Sequence, residues 1–167
     1  MAFALHSLFL LCGISGLLTG VWAFPSKKSN DLFCPKGWTL LDCNCYVYQT
    51  EERTFADAEA VCNILGGNLV SIHSDLENAV VQQLIVAGTP DDPDEEAWVG
   101  LHDSVLDGDF MWTDGTIVDF LNFDTDQPDP TGDVCVLMDE TDGEWRTESC
   151  TELHEYVCIK EAHRVFH

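Results

Sequence analysis

The sequence predicts a single α+β domain held by disulfides, and three observations predict it. Two one-faced helical stripes occupy the first half, short apolar runs between turn residues fill the second, and seven cysteines follow an uncharged leader. Helices first and strands afterwards, with no internal repeat and no second composition regime, read as one α+β unit.

Met1 to Ala23 contain no Asp, Glu, Lys or Arg. Leu8 to Leu11 begin an apolar run that continues in pieces to Leu18, and Val21-Trp22-Ala23 offers a small residue for cleavage. That layout is a secretory signal. Ser7, Gly13, Ser15, Gly16, Thr19 and Gly20 interrupt the run, which falls short of the roughly 20 predominantly apolar residues of a membrane span. The expected organisation is a signal peptide at 1–23, a polar leader at 24–32, the domain at 33–161 and a tail at 162–167. The product is expected to be secreted and extracellular, without membrane insertion.

Thirty acidic residues against seven Lys and Arg give a net charge of −23. Such a field repels phosphate backbones, so nucleic acid is excluded as a partner. The acids are interleaved with Trp, Phe and Leu, unlike those of a disordered tail. The one dense run, Asp91-Asp92-Pro93-Asp94-Glu95-Glu96, reads as a solvated loop.

Of eight cysteines, Cys12 lies in the signal. Cys34, Cys43, Cys45, Cys62, Cys135, Cys150 and Cys158 remain, an odd number in an oxidising compartment. Zinc is the competing reading, but Cys43-Asn44-Cys45 has the wrong spacing and no companion pair.

Tyr46-Val47-Tyr48 is a strand candidate. Thr54 precedes Phe55, Ala58, Val61, Cys62 and Leu65, a helical stripe stopped by Gly66-Gly67. Leu69 to Ile72 reads as a short strand. Ser74 with Glu77 forms a capping box, in which hydroxyl and carboxylate satisfy each other's orphan amides. Leu76, Val80 and Leu84 then give a second helix ending at Gly88. Trp98–Leu101, Phe110–Trp112, Val134–Met138, Trp145 and Tyr156–Ile159 read as short strands between turns.

Several motifs coincide in order. Cys34-Pro35-Lys36-Gly37-Trp38 leads to Cys45-Tyr46, and the first helix runs into Gly66-Gly67-Asn68-Leu69-Val70-Ser71-Ile72. Trp98-Val99-Gly100-Leu101, Trp112-Thr113-Asp114-Gly115, Gln127-Pro128-Asp129, Cys135, Trp145, Cys150 and Cys158 follow. This ordered set resembles the C-type lectin-like domain, notably small secreted fish lectins. The resemblance implies two helices, two small antiparallel sheets with long irregular loops, and the disulfides Cys34–Cys45, Cys62–Cys158 and Cys135–Cys150. Cys43 is then the odd residue, expected to form an intermolecular disulfide in a homodimer.

In the family, sugar binds through a calcium ion whose ligands also hydrogen-bond two sugar hydroxyls. Calcium takes six to eight oxygens, so carboxylates and amide carbonyls suit it. The resemblance implies a cis proline at Pro128, ligands at Gln127 and Asp129 in the galactose-type order, and a further acid at Asp133. The pattern departs after Trp145, where Arg146 and Thr147 stand in place of Asn-Asp. Only Gln127, Asp129 and Asp133 remain as metal ligands, and a cation stands where a cation would bind. Arg146 is expected to replace the ion by pairing with Asp129 or Asp133, since guanidinium suits bidentate pairing. A second family calcium position would use Asp103 and Asp107, with its other positions falling on Pro130 and Val134.

No His-Glu-x-x-His or Gly-x-Ser-x-Gly motif occurs, and His73, His102 and His154 are scattered. The expected function is carbohydrate binding rather than catalysis, in innate or mucosal defence, with surface glycans as partners and calcium as the candidate cofactor. The alternatives are a lectin-fold protein that binds a protein ligand without sugar, and an ice-binding antifreeze-type member.

Overall fold

The computed structural model describes residues 32–90, 95–103, 108–129 and 134–164. The expected signal peptide and nearly all of the polar leader, together with Asp107, Pro130 and Asp133, lie outside the described residues.

The chain begins with β1 (Leu32–Phe33), β2 (Thr39–Leu41) and β3 (Asn44–Arg53), then α1 (Phe55–Ile64) and β4 (Asn68–Leu69). After α2 (Asp75–Gly88) come β5 (Glu96–His102), β6 (Met111–Trp112), β7 (Val134–Asp139), β8 (Trp145–Ser149), β9 (His154–Glu161) and β10 (His163–Arg164). Both helices start where the capping residues place them. Thr54 accepts from the Asp57 amide, and Ser74 accepts from the Glu77 amide while the Glu77 carboxylate takes the His73 amide at 2.7 Å. The two hydroxyl contacts satisfy donors that the first helical turn leaves orphaned, and the Glu77 contact holds the residue ahead of the Ser74 cap.

The main sheet runs β2-β3-β9-β5-β7-β8, with β4 added at β9 and β6 at β5. Its pairings are antiparallel except β5 with β9, which run parallel at Ala97↔Glu155 and Trp98↔Tyr156. That short parallel join makes one eight-stranded sheet where two small antiparallel sheets were expected. The remaining sheet is the β1–β10 pair. The described strands run from Leu32 to Arg164. Val70 to Ile72, expected as strand, are fully or nearly buried beyond the end of β4.

Two apolar clusters flank the sheet. One packs Val81 and Ile85 of α2 with Trp112, Trp145, Val136 and Val157; the other packs Phe55, Ala58 and Cys62 of α1 with Trp98, Leu137 and Tyr156. The α2 stripe sits differently from the one the sequence predicts. Asn78, Val81 and Ile85 are its buried residues, whereas Leu76 is 58% exposed. Asn78 explains the rotation: its amide donates to the Gly143 carbonyl at 3.0 Å and accepts from the Trp145 indole at 2.8 Å. A polar residue occupies the core because it satisfies the buried indole N–H.

Three bridges join Cys34 to Cys45, Cys62 to Cys158 and Cys135 to Cys150. The Cys62–Cys158 bridge spans 96 residues and ties α1 to β9. Closing so long a loop contributes about 4–5 kcal/mol in the chain-entropy picture. Cys43 is itself disulfide-bonded and no described cysteine is free, so the homodimer expected through Cys43 gains no support.

Replacing Asn78 by Leu orphans the Trp145 indole, while the Gly143 carbonyl keeps Asn122 at 2.8 Å. The expected loss is about 2 kcal/mol, read as a fall of several degrees in Tm.

Candidate functional site

The edge strand β8 positions the residues that the sequence singles out. Trp145 is fully buried, so the alternation of a strand sends Arg146 to one side of β8 and Thr147 to the other. Residues 122–124 lie along the outer edge of β8, where the Asn122 carbonyl and the Asp124 amide bond Trp145 at 2.8 and 3.0 Å. The following turn carries Asp126 at φ 70° and the cis Gln127–Pro128 bond. That cis geometry matches what the resemblance implies.

The Gln127 carbonyl oxygen is consumed by the protein. It accepts from the Thr147 hydroxyl at 2.8 Å, the Thr147 amide at 3.0 Å and the Asp129 amide at 3.3 Å. Thr147 Oγ1 in turn accepts from the Asp129 amide at 2.9 Å. A calcium ligand must offer a lone pair, yet this oxygen has N–H and O–H donors aimed at it. Thr147 itself supplies one hydroxyl where a carboxylate would stand. The described donors therefore do not fit the ion, and among the described residues no group of His, Cys, Asp or Glu is arranged to hold a metal.

Arg146 is not paired with Asp129, one of its two expected partners; the other, Asp133, lies outside the described residues. Among the described residues it pairs with Asp139 at 2.9 Å, Glu96 at 3.2 Å and Asp124 at 3.2 Å, not with Asp129. The reason is strand geometry: Asp139 and Glu96 face each other across β7 and β5, on the side to which Arg146 points. Burial alone would lower the Arg146 pKa, but the hydrogen bond to Asp124 and the charges of Asp139 and Glu96 raise it. Asp124 is held below the usual carboxylate range by the Thr125 amide and by Arg146. Glu144 is raised by its hydrogen bond to Asp124, then by burial. Glu96, expected within a solvated loop, is the first residue of β5 and half-buried. Sequence reasoning missed Glu96, Asp124 and Asp139 as the partners; the one available signal was that Glu96 directly heads an apolar run.

Asp103 is also reassigned. Its side chain is 1% exposed, and its two oxygens accept the Val134 amide at 3.0 Å and the Gly108 amide at 2.9 Å. A carboxylate so engaged ties Gly108 and the start of β7 to the end of β5. Of the histidines His73, His102 and His154, His102 packs on Phe55 and His154 on Trp98, with centroids 5.5 and 4.9 Å apart. His73 joins Asp119 at 2.7 Å and Thr116 at 3.2 Å.

Comparison with known proteins agrees with this fold. The lectin C-type domain model matches residues 51–160. Human lithostathine-1-beta is 32% identical over 129 residues, covering 75% of this chain and 76% of that protein. The galactose-specific lectin nattectin of Thalassophryne nattereri is 28% identical over 155 residues, covering 92% of each. Among solved structures, a calcium-independent type II antifreeze protein superposes with a TM-score of 0.72 at 30% identity, covering 80% of this chain and 98% of that one. The chain belongs to the C-type lectin domain family, whose members include both lectins and antifreeze proteins.

Two substitutions probe the site. Arg146→Met removes the one cation among Glu96, Asp124 and Asp139. Because Arg146 is partly exposed, the expected cost is about 1–2 kcal/mol, between a surface pair and a buried one. A carboxyl held low in the folded state stabilises above its unfolded pKa and loses that contribution as pH falls through the lower folded value. The gap between the two proteins in urea melts at neutral pH should therefore narrow below about pH 4. Thr147→Val strips the hydroxyl from Gln127 and Asp129 and should cost about 1 kcal/mol, with amide exchange rising at Asp129.

Proposed function

We propose that the chain is a secreted carbohydrate-recognition domain that works without calcium in the Gln127-Pro128-Asp129 loop. The observation that carries the calcium-free reading is the Gln127 oxygen, closed by the Thr147 amide and hydroxyl at 3.0 and 2.8 Å. Arg146, occupied by Asp139, Glu96 and Asp124, supports it from the other side of β8. Glycan as the ligand is supported by similarity to nattectin across nearly the whole chain. The uncharged leader at 1–23 supports secretion, and a role in innate or mucosal defence follows from a secreted glycan binder. Galactose is the first sugar to test because Gln127 and Asp129 stand in the galactose-type order. No catalytic group is assigned. His73, the best-connected histidine, has its two ring nitrogens engaged by Asp119 and Thr116.

Chromatography on lactose-agarose with and without EDTA tests the reading. Equal retention in both buffers is expected. Retention abolished by EDTA would return calcium to the site and defeat the proposal. No retention on lactose or on a wider glycan panel would instead favour a protein ligand. Thermal hysteresis in the same preparation would favour ice, the ligand of the antifreeze relatives.

A further inference from the structure

If the Gln127 loop is closed to an ion, saccharide hydroxyls must meet protein groups directly. A cavity of about 700 Å3 lies elsewhere, between the turn after α1 and the loop after β6. Its size falls within the ~300–1,000 Å3 range of small-ligand sites. Asn44, Asn68, Asp114, Thr116, Lys160 and Glu161 give it a polar lining.

One wall is built by connected hydrogen bonds. Asp114 accepts from the Ser71 hydroxyl at 2.6 Å, from the Thr116 hydroxyl at 2.6 Å and from the Thr116 amide at 2.9 Å. Thr116 continues to His73 at 3.2 Å, and His73 to Asp119 at 2.7 Å. Ser71 is 3% exposed, so the chain is anchored in the core. On the facing side Asn68 is fixed by its amide nitrogen, which donates to Glu59 at 2.7 Å. Its carbonyl oxygen is left to serve as an acceptor. Polar groups already held in place lose little freedom when a ligand arrives.

The charges select the class of ligand. Lys160 donates to the Leu65 carbonyl at 3.0 Å and lies 3.9 Å over the Trp38 ring. His73 is held by Asp119, and His163 packs on Phe33 with centroids 5.5 Å apart. Every basic group of the lining is thus committed to the protein, and the chain carries −23 overall. Nothing here draws an anion. The Ser71 and Thr116 hydroxyls are spent on Asp114, so the lining meets a ligand chiefly with acceptors. Asp114 Oδ2, which takes Ser71 alone among the described residues, and the Asn68 carbonyl oxygen suit the donating hydroxyls of a neutral ligand.

We infer that this cavity, rather than the Gln127 loop, binds a neutral oligosaccharide through Asp114, Thr116, Asn68 and Asn44. The inference rests on the reading of the chain as a calcium-free lectin.

Amide NMR titration in EDTA with lactose, with methyl α-mannoside and with chitotriose separates the two. Shifts confined to Asn44, Asn68, Thr116 and Glu161 are expected with at least one of these sugars. Ala162→Trp, which fills the cavity while keeping the Ala162 amide bond to the Cys43 carbonyl, should weaken that binding about tenfold or more. Thr116→Val provides a second reading if the Trp variant does not fold, with the same direction of effect. Shifts at Gln127, Asp129 and Thr147 with both variants inert would overturn the cavity and leave the lectin. No shift with any of the three sugars would remove the lectin reading, and the cavity with it.

Discussion

The position of β9 governs the fold. It pairs with β3, β4 and β5 at once, so most of the sheet is assembled on it. The Cys62–Cys158 bridge fixes α1 to this strand across 96 residues. Without that covalent tie, each long loop would lose entropy on closing before any contact offset the cost. With it, the α1 layer and the central strand are neighbours even in the unfolded chain. The irregular segments between β5 and β8 can therefore be long without dissolving the core, whose Trp98, Trp112 and Trp145 side chains are almost wholly buried.

The same economy of contacts appears in the loops. In related lectins that use calcium, an ion gathers oxygen atoms from distant loops. Here single side chains do that gathering: Thr147 for the Gln127 turn, Asp103 for the segments ending at Gly108 and Val134. Each bond is modest, worth about 1 kcal/mol net, or about 1.5–3 where a carboxylate accepts. Their combination still fixes the Gln127 turn to β8 and Gly108 and the start of β7 to the end of β5. Arg146 performs a related task for charge, drawing carboxylates from β5, β7 and the 122–124 segment to one point.

Local signals were legible in the sequence. The Thr54 and Ser74 caps mark both helix starts, and the ordered cysteines and tryptophans carry the family and its three bridges. Pairings between distant residues were harder to read. Glu96 and Arg146 are 50 residues apart, and only the β5-β7-β8 register brings them together. Nothing local marks Asn78 as buried, because the partner that makes its burial tolerable, the Trp145 indole, is 67 residues away. The parallel contact of β5 with β9 left no periodic trace, since it involves only two residue pairs. Arg146 was legible as a departure but not as an ion pair with Asp139. Strand alternation is visible in sequence, whereas the identity of the neighbouring strand is not.

The bridges also decide how the domain carries tension. Leu32 and Arg164 are joined by a short two-pair ladder, so a pull on both ends loads that ladder first. Once it parts, force passes through Cys34–Cys45, along β3 and α1 to Cys62, and across to Cys158. Residues 63–157 lie in a covalent bypass that bears none of the load. The segments able to extend are few, each residue giving at most about 3.3–3.6 Å. The Gln127 turn, Arg146 with its carboxylates and the Asp114 wall all sit within the bypass. A domain tethered by its ends could stretch through α1 while the Gln127 turn, the Arg146 cluster and the Asp114 wall stay outside the line of force, and the opposite rim of the cavity at Lys160 to His163 lies within it.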